Sequence, residues 1–385
     1  MVRDKRGKGK REEYYFDYAL LFIVLFLLVF GLVMLYSVSS YEAALDYGDS
    51  AYYLKKQAFS TCLGLVAMLV VAGIDYHVWE KFAVFGYIVS VVSILLVKSP
   101  IGKTSKGASR WIMIGPISIQ PAEIAKLAMI LFLAVMVCKM GKSIKTWKGL
   151  FVLVLMPLPI AALIKIVTNN LSSAIIVMGI AVLMIFVATP QYLRYFVFAL
   201  IAVAGAAGLV FYIKMSAAEG SGFRGARILA WLDPQEYASG TGFQTLQALY
   251  AIGSGGLWGK GLGRSMQKLG FLPEAQNDMI FSIICEELGL FGAFAIIMLF
   301  IILLWRFMVI ANNASDLFGA LLVVGVMGHI AIQVILNIAV VTNTMPNTGI
   351  SLPFISYGGT SILFLLVEIG LALSVSRGIR LKDVG

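Results

Sequence analysis

Long apolar runs recur along this chain, and several of them approach twenty residues. A run of that length crosses the hydrocarbon core of a bilayer as an α-helix, in which every backbone polar group finds a partner within the segment. Hydrophobic residues make up 60% of the 385 residues and charged residues only 13%, a composition that excludes an ordinary soluble domain. The sequence therefore predicts an all-α polytopic membrane protein.

We predict ten membrane-spanning helices from these runs. They cover residues 18–38, 57–73, 81–97, 122–138, 149–166, 171–188, 192–213, 278–305, 317–341 and 358–377. The fifth and sixth spans are interrupted, because Pro157, Pro159 and the pair Asn169-Asn170 disfavour a continuous helix there.

The domain organisation follows from these spans. Residues 1–13 form a basic tail, and residues 14–385 form one transmembrane domain. The longest stretch without a span, residues 214–277, is a large extracytoplasmic loop between the seventh and eighth helices. The cysteines lie in apolar runs without metal-ligand spacing, so we expect buried thiols. They are Cys62, Cys138 and Cys285.

The distribution of Lys and Arg predicts the orientation in the membrane. An even number of spans places both termini on one side, and the cytoplasmic side carries the excess of basic residues. The tail (residues 1–13), the loop 139–148 and the C-terminal residues 377–385 are all basic. We also expect Arg194 and Arg306 in short loops on that side. Both termini are therefore predicted to be cytoplasmic.

One short loop on the opposite side contradicts this charge rule. The sequence KSPIGKTSKGASR carries four cations, Lys98, Lys103, Lys106 and Arg110. Two interpretations are open: a solvated loop near anionic lipid, or a site for a polyanion such as a phosphate or pyrophosphate.

Ionisable residues inside the spans are few and usually face a cavity or a partner. Glu123 and Lys126 lie three residues apart in PAEIAK, on one face of the fourth helix, where Pro121 suits the first turn. They form either a structural ion pair or part of a site. His329 and Glu368 are lone polar groups in their spans, and we expect interior hydrogen bonds for them.

Three carboxylates cluster in FLPEAQNDMIFSIICEELG (residues 271–289). Asp278 precedes the eighth helix, where a carboxylate is favoured as a cap, although Asn277 could cap equally well. On an α-helix Glu286 would lie about 80° around from Asp278 and Glu287 about opposite it. The three therefore cannot serve one point, and we expect Glu286 or Glu287 to pair with a basic residue or to cap a neighbouring helix.

Two irregular segments complete the pattern. The glycine-rich GSGGLWGKGLGRS (residues 253–265) lacks the ending of a nucleotide-binding loop, but its backbone could approach a phosphate or sugar. The segment MPNTGISLPFISYGGTS (residues 345–361) either lines a cavity or forms a surface connection. No metal-ligand spacing is present.

Four stretches resemble the SEDS family (shape, elongation, division and sporulation), which includes FtsW, RodA and SpoVE. They occur in the family's order and, with the ten spans, cover nearly the whole chain. Details near residue 345 are closer to the FtsW and SpoVE branch. The stretches are SKGASRWIMIGPISIQPAEIAK (105–126), GTGFQTLQALYAIGSGGLWGKGLGRS (240–265), FLPEAQNDMIFSIICEELGLFG (271–292) and TNTMPNTGISLPFISYGGTS (342–361).

The resemblance implies a peptidoglycan glycosyltransferase that polymerises lipid II at the outer face of the cytoplasmic membrane. The family's essential aspartate falls on Asp278, and its basic and acidic motif residues fall on Arg110, Glu123 and Lys126. Many relatives have His-Thr before the aspartate, where this chain has Gln276-Asn277. We therefore expect Asp278 to be the general base, with Arg110 and Lys126 stabilising the pyrophosphate and Glu123 orienting Lys126.

Further substrate-binding candidates lie in the same stretches. They are Lys103, Lys106, Gln244, Ser356, Gly358 and Gly359. The resemblance leaves a divalent cation, Mg²⁺ or Mn²⁺, open as a cofactor. It implies a class B penicillin-binding protein and other division proteins as partners, a location at the division septum and no nucleic acid.

Two other functions fit the composition: a flippase that transports lipid II unchanged, and a scaffold that recruits division enzymes. The polar motifs cluster on one predicted face, which favours the enzyme, because a flippase should need matched polar surfaces toward both faces.

Overall fold

The protein is a bundle of α-helices with one small sheet. A computed structural model describes residues 15–105, 108–114, 117–189, 192–215 and 223–379. The helices are α1 (Tyr18–Tyr47), α2 (Tyr52–Gly73), α3 (His77–Glu80), α4 (Ala83–Leu96), α5 (Pro121–Met140), α6 (Trp147–Leu155), α7 (Leu158–Thr168), α8 (Leu171–Ala188), α9 (Tyr192–Met215), α10 (Phe223–Leu232), α11 (Phe243–Gly255), α12 (Ile280–Asn312), α13 (Leu317–Val341) and α14 (Gly359–Arg377). A 3₁₀ turn, Gly141–Lys145, follows α5.

The described chain confirms the predicted helical membrane architecture. Nine helical segments are long and apolar enough to cross a bilayer, with α6 and α7 counted together as Trp147–Thr168. The remaining predicted span is α4, which has only 14 residues. The break between α6 and α7 falls at Pro157, as its missing N–H and fixed φ lead us to expect.

Two helices extend further than their apolar runs. α1 continues to Tyr47 and ends where Gly48 adopts a left-handed conformation (φ 69°). α12 continues to Asn312, so Arg306 lies inside it and our placement of Arg306 in a loop was wrong. The Arg306 Nη2 lies 2.7 Å from Oδ2 of Asp17, whose side chain is fully buried. Hydropathy ended the predicted eighth span at residue 305 because it does not register a paired arginine.

Arg194 also lies in a helix, α9, and not in a loop. The cysteine prediction was wrong at one position. Cys285 is buried and Cys138 partly buried, but Cys62 is exposed on the surface of the bundle. An apolar run gives no indication of which helix face points toward lipid.

The four-cation loop folds into a small antiparallel sheet, which the sequence did not lead us to expect. Its strands are β1 (Gly102–Ser105), β2 (Ala108–Ile114) and β3 (Ile117–Ile119), in the order β1-β2-β3. Lys103 pairs in register with Trp111. The sheet leads directly into α5, whose first turn contains Pro121 as predicted.

The long connection 214–277 contains α10 and α11, and the basic tail 1–13 lies outside the described residues. We call the end of the bundle that carries Asp278 the site end. The opposite, terminal end is where the backbone N–H of Tyr15 donates to the carbonyl of Ile379 (2.9 Å).

A break in α12 is repaired by the glycine-rich loop. Gly289 has non-helical torsions (φ 69°, ψ −170°), so nearby backbone groups lose their helical partners. The loop supplies replacements on both sides of the break: two of its N–H groups donate to carbonyls of α12, and two of its carbonyls accept from N–H groups of α12. These bonds are Lys260 N to Glu286 O, Gly261 N to Glu287 O, Leu290 N to Gly256 O and Phe291 N to Leu257 O, at 2.9–3.2 Å.

The pairing of the loop with α12 explains why two positions of the loop are glycines. A Cβ at Gly255 would lie 2.0 Å from the carbonyl oxygen of Cys285, and one at Gly259 would lie 2.2 Å from that of Glu287. At these two positions the loop therefore approaches the backbone of α12 and not a phosphate or sugar. The glycine-rich loop supplies hydrogen-bond partners to backbone groups that would otherwise be unpaired, which is energetically costly in a membrane protein.

The polar segment between α13 and α14 is packed into the protein. Leu352, Phe354 and Ile355 are at most 3% exposed. A Cβ on Gly31 of α1 would lie 2.4 Å from the carbonyl oxygen of Phe354. The sequence left open whether this segment lines a cavity or forms a surface connection. At these buried positions a surface connection is wrong.

At a connection outside the spans, His77 joins two carboxylates. Its ring nitrogens lie 2.7 Å from Asp75 and 2.7 Å from Asp316, and the Tyr76 hydroxyl also donates to Asp316 (2.6 Å). Burial lowers the pKa of His77, but its hydrogen bonds to the two carboxylates outweigh burial and raise the pKa above its ordinary value.

This arrangement predicts a pH-dependent contribution to stability. A raised folded-state pKa stabilises the protein fully below the unfolded value, about pH 6.5, and the contribution is lost as the pH rises through the folded value. We expect His77→Gln to lower the melting temperature near pH 6, with a difference from wild type that shrinks above that window. Melting curves across pH test this, and a difference that grows toward alkaline pH would contradict it.

Candidate active site

Asp278 lies immediately before α12, at the site end, and is 9% exposed. It does not cap the helix: Met279 occupies the cap position and makes no side-chain capping bond. Its backbone is held by Asn337 of α13, whose Nδ2 donates to the carbonyl oxygens of Asp278 (2.8 Å) and Ile350 (2.7 Å). One buried amide thus fixes Asp278 against the segment between α13 and α14.

That segment makes a second connection and closes over the carboxylate. Gly349 adopts φ 68°, and a Cβ there would lie 3.6 Å from Oδ2 of Asp278. The backbone N–H of Tyr357 donates to the carbonyl of Gln276 (2.9 Å). The surroundings of Asp278 are therefore built from two segments that are far apart in sequence.

Asp278 interacts electrostatically with Arg227, which in turn interacts with Arg110. Burial lowers the pKa of Arg227, and the negative charge of Asp278 acts in the opposite direction. Burial also lowers the pKa of Arg110, and the positive charge of Arg227 lowers it further. The three charged groups thus form a chain in which Arg227 lies between Asp278 and Arg110. An excess of positive charge in a guanidinium pair suits a phosphate or pyrophosphate.

Both arginines are held by backbone carbonyls. Arg110 donates from Nε to Thr168 O (3.4 Å) and from Nη2 to Asn169 O (3.2 Å), at the C-terminal end of α7. Arg227 donates from Nη1 to Asn347 O (3.1 Å). The sheet and α10 therefore each present a cation at the site end.

Gln244 connects the two segments around the site. Its Nε2 donates to the carbonyl of Pro273 (3.1 Å), and its Oε1 accepts from Nδ2 of Asn347 (2.8 Å). Asn347 also accepts from the backbone N–H of Gly349 (3.0 Å). In this structure Gln244 positions the loop that covers Asp278, and its contact with a substrate remains a prediction.

Glu123 and Lys126 form a buried ion pair, with 2.8 Å between Oε2 and Nζ and side-chain exposures of 6% and 1%. Ser361 donates to Glu123 (3.3 Å). Glu123 therefore orients Lys126, and both prior interpretations, structural and functional, are compatible with this pair. A cation that interacts electrostatically with Asp278 is Arg227.

The interior beside Lys126 holds a second polar pair. His329 Nδ1 lies 2.7 Å from Oε2 of Glu368, and both residues are fully buried. The charge of Lys126 acts on each of them. The expected interior hydrogen bond is confirmed for both residues.

Glu286 and Glu287 do not face the site but hold the glycine-rich segment. Glu286 pairs with Lys260 (2.7 Å) and Glu287 with Lys268 (2.8 Å), and both carboxylates are fully buried. Glu287 also accepts from the Ser37 hydroxyl (2.8 and 2.9 Å). The expectation that these carboxylates pair with basic residues is confirmed.

Most of the other substrate-binding candidates make contacts within the protein in this structure. The Ser356 hydroxyl accepts from the backbone of Leu352 (2.8 Å), and Gly358 donates its N–H to Gln57 (3.1 Å). A Cβ on Gly359 would lie 3.2 Å from the Ser60 hydroxyl, at the contact between α14 and α2. Lys103 is exposed on β1, and Lys106 lies outside the described residues. Their roles toward substrate remain predictions.

Sequence reasoning missed Arg227 and Asn337. Arg227 is one of several cations in the long loop 214–277. The charge of so long a loop gives little information about its side of the membrane or its function. Asn337 is one of two side-chain amides inside an apolar span, together with Gln333, and the polar residue at that depth was the available signal.

No group of three or more His, Cys, Asp or Glu side chains that could hold a metal ion occurs among the residues the structure describes. Asp278 interacts with the guanidinium group of Arg227. These donors do not form a site for a resident Mg²⁺ or Mn²⁺, so a divalent cation stays a prediction from the resemblance.

The fold and this site define a polytopic α-helical membrane protein with an ionic site at one end of its bundle. A family model described as "Cell cycle protein", for FtsW, RodA and SpoVE, matches residues 18–381. The chain belongs to this family.

Curated relatives extend over the full length. Stage V sporulation protein E of Bacillus subtilis is 41% identical over 362 residues, which are 94% of this chain and 97% of the relative. A probable peptidoglycan glycosyltransferase FtsW of Trichlorobacter lovleyi is 38% identical over 385 residues, covering 100% of this chain and 98% of the relative.

Solved structures show the same fold. A chain from work on "Structural coordination of polymerization and crosslinking by a peptidoglycan synthase complex" has a TM-score of 0.76 and 26% identity, covering 94% of this chain and 98% of that chain. The rod shape determining protein RodA of Thermus thermophilus has a TM-score of 0.64 and 25% identity, covering 94% and 97%.

Proposed function

We propose that this protein is a peptidoglycan glycosyltransferase that polymerises lipid II into glycan strands. The observation that carries the proposal is the electrostatic chain that runs from Asp278 to Arg227 and on to Arg110, at one end of a membrane bundle. Full-length relatives are named for this activity. A carboxylate beside excess positive charge suits a reaction that removes a proton and releases a pyrophosphate.

The chemistry assigns a role to each group. A sugar hydroxyl of one lipid-linked substrate attacks the anomeric carbon of another, and Asp278 accepts the hydroxyl proton. A carbon–oxygen bond forms while the bond to the lipid pyrophosphate breaks. Arg227 and Arg110 stabilise the negative charge that develops on the leaving group. Any divalent cation would enter with the pyrophosphate, which would supply oxygen ligands for it.

The location and partners follow from the same proposal. The site end faces the outside of the cytoplasmic membrane, and the terminal end with both chain termini faces the cytoplasm, as the basic segments favour. A class B penicillin-binding protein crosslinks the product, with other division proteins at the septum. The structural neighbour from a peptidoglycan synthase complex supports such a partner.

The proposal is tested with the purified protein, alone and with its class B partner, and labelled lipid II with Mg²⁺ and with chelator. Polymer on a gel is the expected result. Absence of polymer, together with lipid II crossing between the leaflets of vesicles, would overturn the proposal in favour of a flippase.

The same assay tests Arg227. Because its guanidinium is placed to stabilise the leaving group, we expect Arg227→Gln to slow polymerisation about 10²-fold, and Arg227→Lys to retain part of the rate. Arg264→Gln, at an exposed position of the glycine-rich segment, is the matched control and should keep the wild-type rate. Equal rates for Arg227→Gln and the control would remove Arg227 from the mechanism.

A further inference from the structure

We propose that a cluster of tyrosines beside the site is a binding subsite for the glycan strand. The tyrosine cluster consists of Tyr47 of α1, Tyr52 and Tyr53 of α2, and Tyr357 of the segment before α14. Its ligand would be a polymer of N-acetylated amino sugars. The identity of this ligand rests on the function proposed above.

The four tyrosine rings are linked by direct ring-to-ring contacts. Tyr47 and Tyr52 are stacked, with ring centroids 3.7 Å apart and planes 10° apart. Tyr53 meets Tyr47 edge-on at 5.9 Å and Tyr357 edge-on at 5.0 Å. The Lys56 ammonium lies 4.2 Å from the centroid of the Tyr52 ring. Such contacts hold the aromatic surface in one geometry before a ligand arrives.

The tyrosine cluster is continuous with the candidate active site. Tyr357 donates its backbone N–H to the carbonyl of Gln276 (2.9 Å), two residues before Asp278. Gln57 of α2 reinforces the connection, because its side chain accepts from Gly358 N (3.1 Å) and donates to Ser356 O (3.4 Å). A strand that leaves the reacting centre on this side meets the tyrosines next.

The arrangement differs from tyrosines that only anchor a protein at the membrane interface. Anchoring residues place separate rings among lipid headgroups. Here the rings contact one another and a loop of the site. Tyr47 nevertheless keeps 51% of its surface exposed, which leaves area for a ligand.

The charges near the cluster favour a neutral ligand. Glu42 and Asp46 act electrostatically on Tyr53, so two carboxylates accompany the single ammonium of Lys56. An anionic lipid headgroup would be repelled by this pair. A sugar ring instead offers C–H faces for the aromatic rings and hydroxyl and amide groups for the phenols and Lys56.

The first test measures binding without catalysis. The probe is chitohexaose, a soluble oligomer of N-acetylated amino sugars, added to the full-length protein in nanodiscs and followed by saturation-transfer NMR. We expect Tyr47→Leu to weaken binding about fivefold, the value of one aromatic contact, and Tyr47→Phe to restore it. The matched control is Tyr36→Leu, which changes another exposed tyrosine of α1 (44% exposed) that lies outside the cluster. This control should bind as the wild type does.

Equal binding by wild type and Tyr47→Leu, or an equal loss in Tyr36→Leu, would overturn the proposal. A second measurement does not depend on a variant that folds: irradiation of tyrosine ring protons in the wild type should transfer saturation to the sugar protons. Absence of that transfer would also overturn the subsite.

Product length distinguishes this proposal from the catalytic one. We expect Tyr47→Leu to make shorter strands than both the wild type and the Tyr36→Leu control. Failure of the wild type to polymerise would reject the proposed function, whereas the binding result would still decide whether the cluster holds a glycan.

Discussion

Replacing Asp278 with asparagine is expected to abolish detectable glycan polymerisation while the helix bundle stays folded. Asparagine has nearly the same shape but cannot accept a proton, and loss of a general base lowers rates by about 10²–10⁴-fold. The position tolerates the change structurally, because Asn337 binds the Asp278 backbone carbonyl and not its side chain. Gel analysis of polymer from labelled lipid II measures the effect.

The control for Asp278→Asn is Asp233→Asn. Asp233 also lies in the connection between α9 and α12, and its carboxylate accepts from the backbone N–H groups of Gln235 and Glu236 (3.1 Å each). This control should polymerise as wild type does. Full activity in a folded Asp278→Asn protein would exclude Asp278 as the base.

The largest loss of stability is expected from Glu287→Leu. The substitution leaves the Lys268 ammonium, only 7% exposed, without its carboxylate, and breaking a buried pair in this way costs about 3–5 kcal/mol. It also removes the acceptor of the Ser37 hydroxyl, so α1 and the glycine-rich segment lose a common anchor. A lowered melting temperature in detergent and faster proteolysis of residues 255–268 are the readouts.

Two variants complete this test. Lys268→Met added to Glu287→Leu removes the stranded charge, and the double variant should recover part of the loss. Asp49→Asn breaks a solvent-exposed pair with Lys55 (2.8 Å) and should leave the melting temperature unchanged. If Glu287→Leu melts with the wild type, the buried pair does not anchor the segment.

Hydropathy was sufficient to predict the helical bundle, because the energetic cost of unpaired backbone groups in lipid leaves few alternatives. It placed Arg306 wrongly, since the partner that makes an intramembrane arginine tolerable, Asp17, is far away in sequence. The small sheet at β1–β3 was missed for a related reason. Three strands of 4, 7 and 3 residues carry almost no periodic signal beside helices of about twenty residues.

At the site, sequence identified the aspartate through its motif but could not identify its electrostatic neighbour. Arg227 comes to Asp278 through the folding of α10, and no local pattern encodes that approach. The glycine-rich segment was interpreted through ligand chemistry, although two of its glycines, Gly255 and Gly259, serve a backbone-to-backbone contact. A glycine pattern shows that something approaches closely and does not reveal what approaches.

The repaired break in α12 has a consequence for biosynthesis. Residues 256–261, which bind the exposed backbone groups of α12, leave the ribosome before residues 286–291, which need them. The loop residues that pair with α12 have therefore already been synthesised when the broken helix reaches the membrane. A circularly permuted chain that begins at α12 would reverse this order and insert the break into lipid with its carbonyls and amides unpaired.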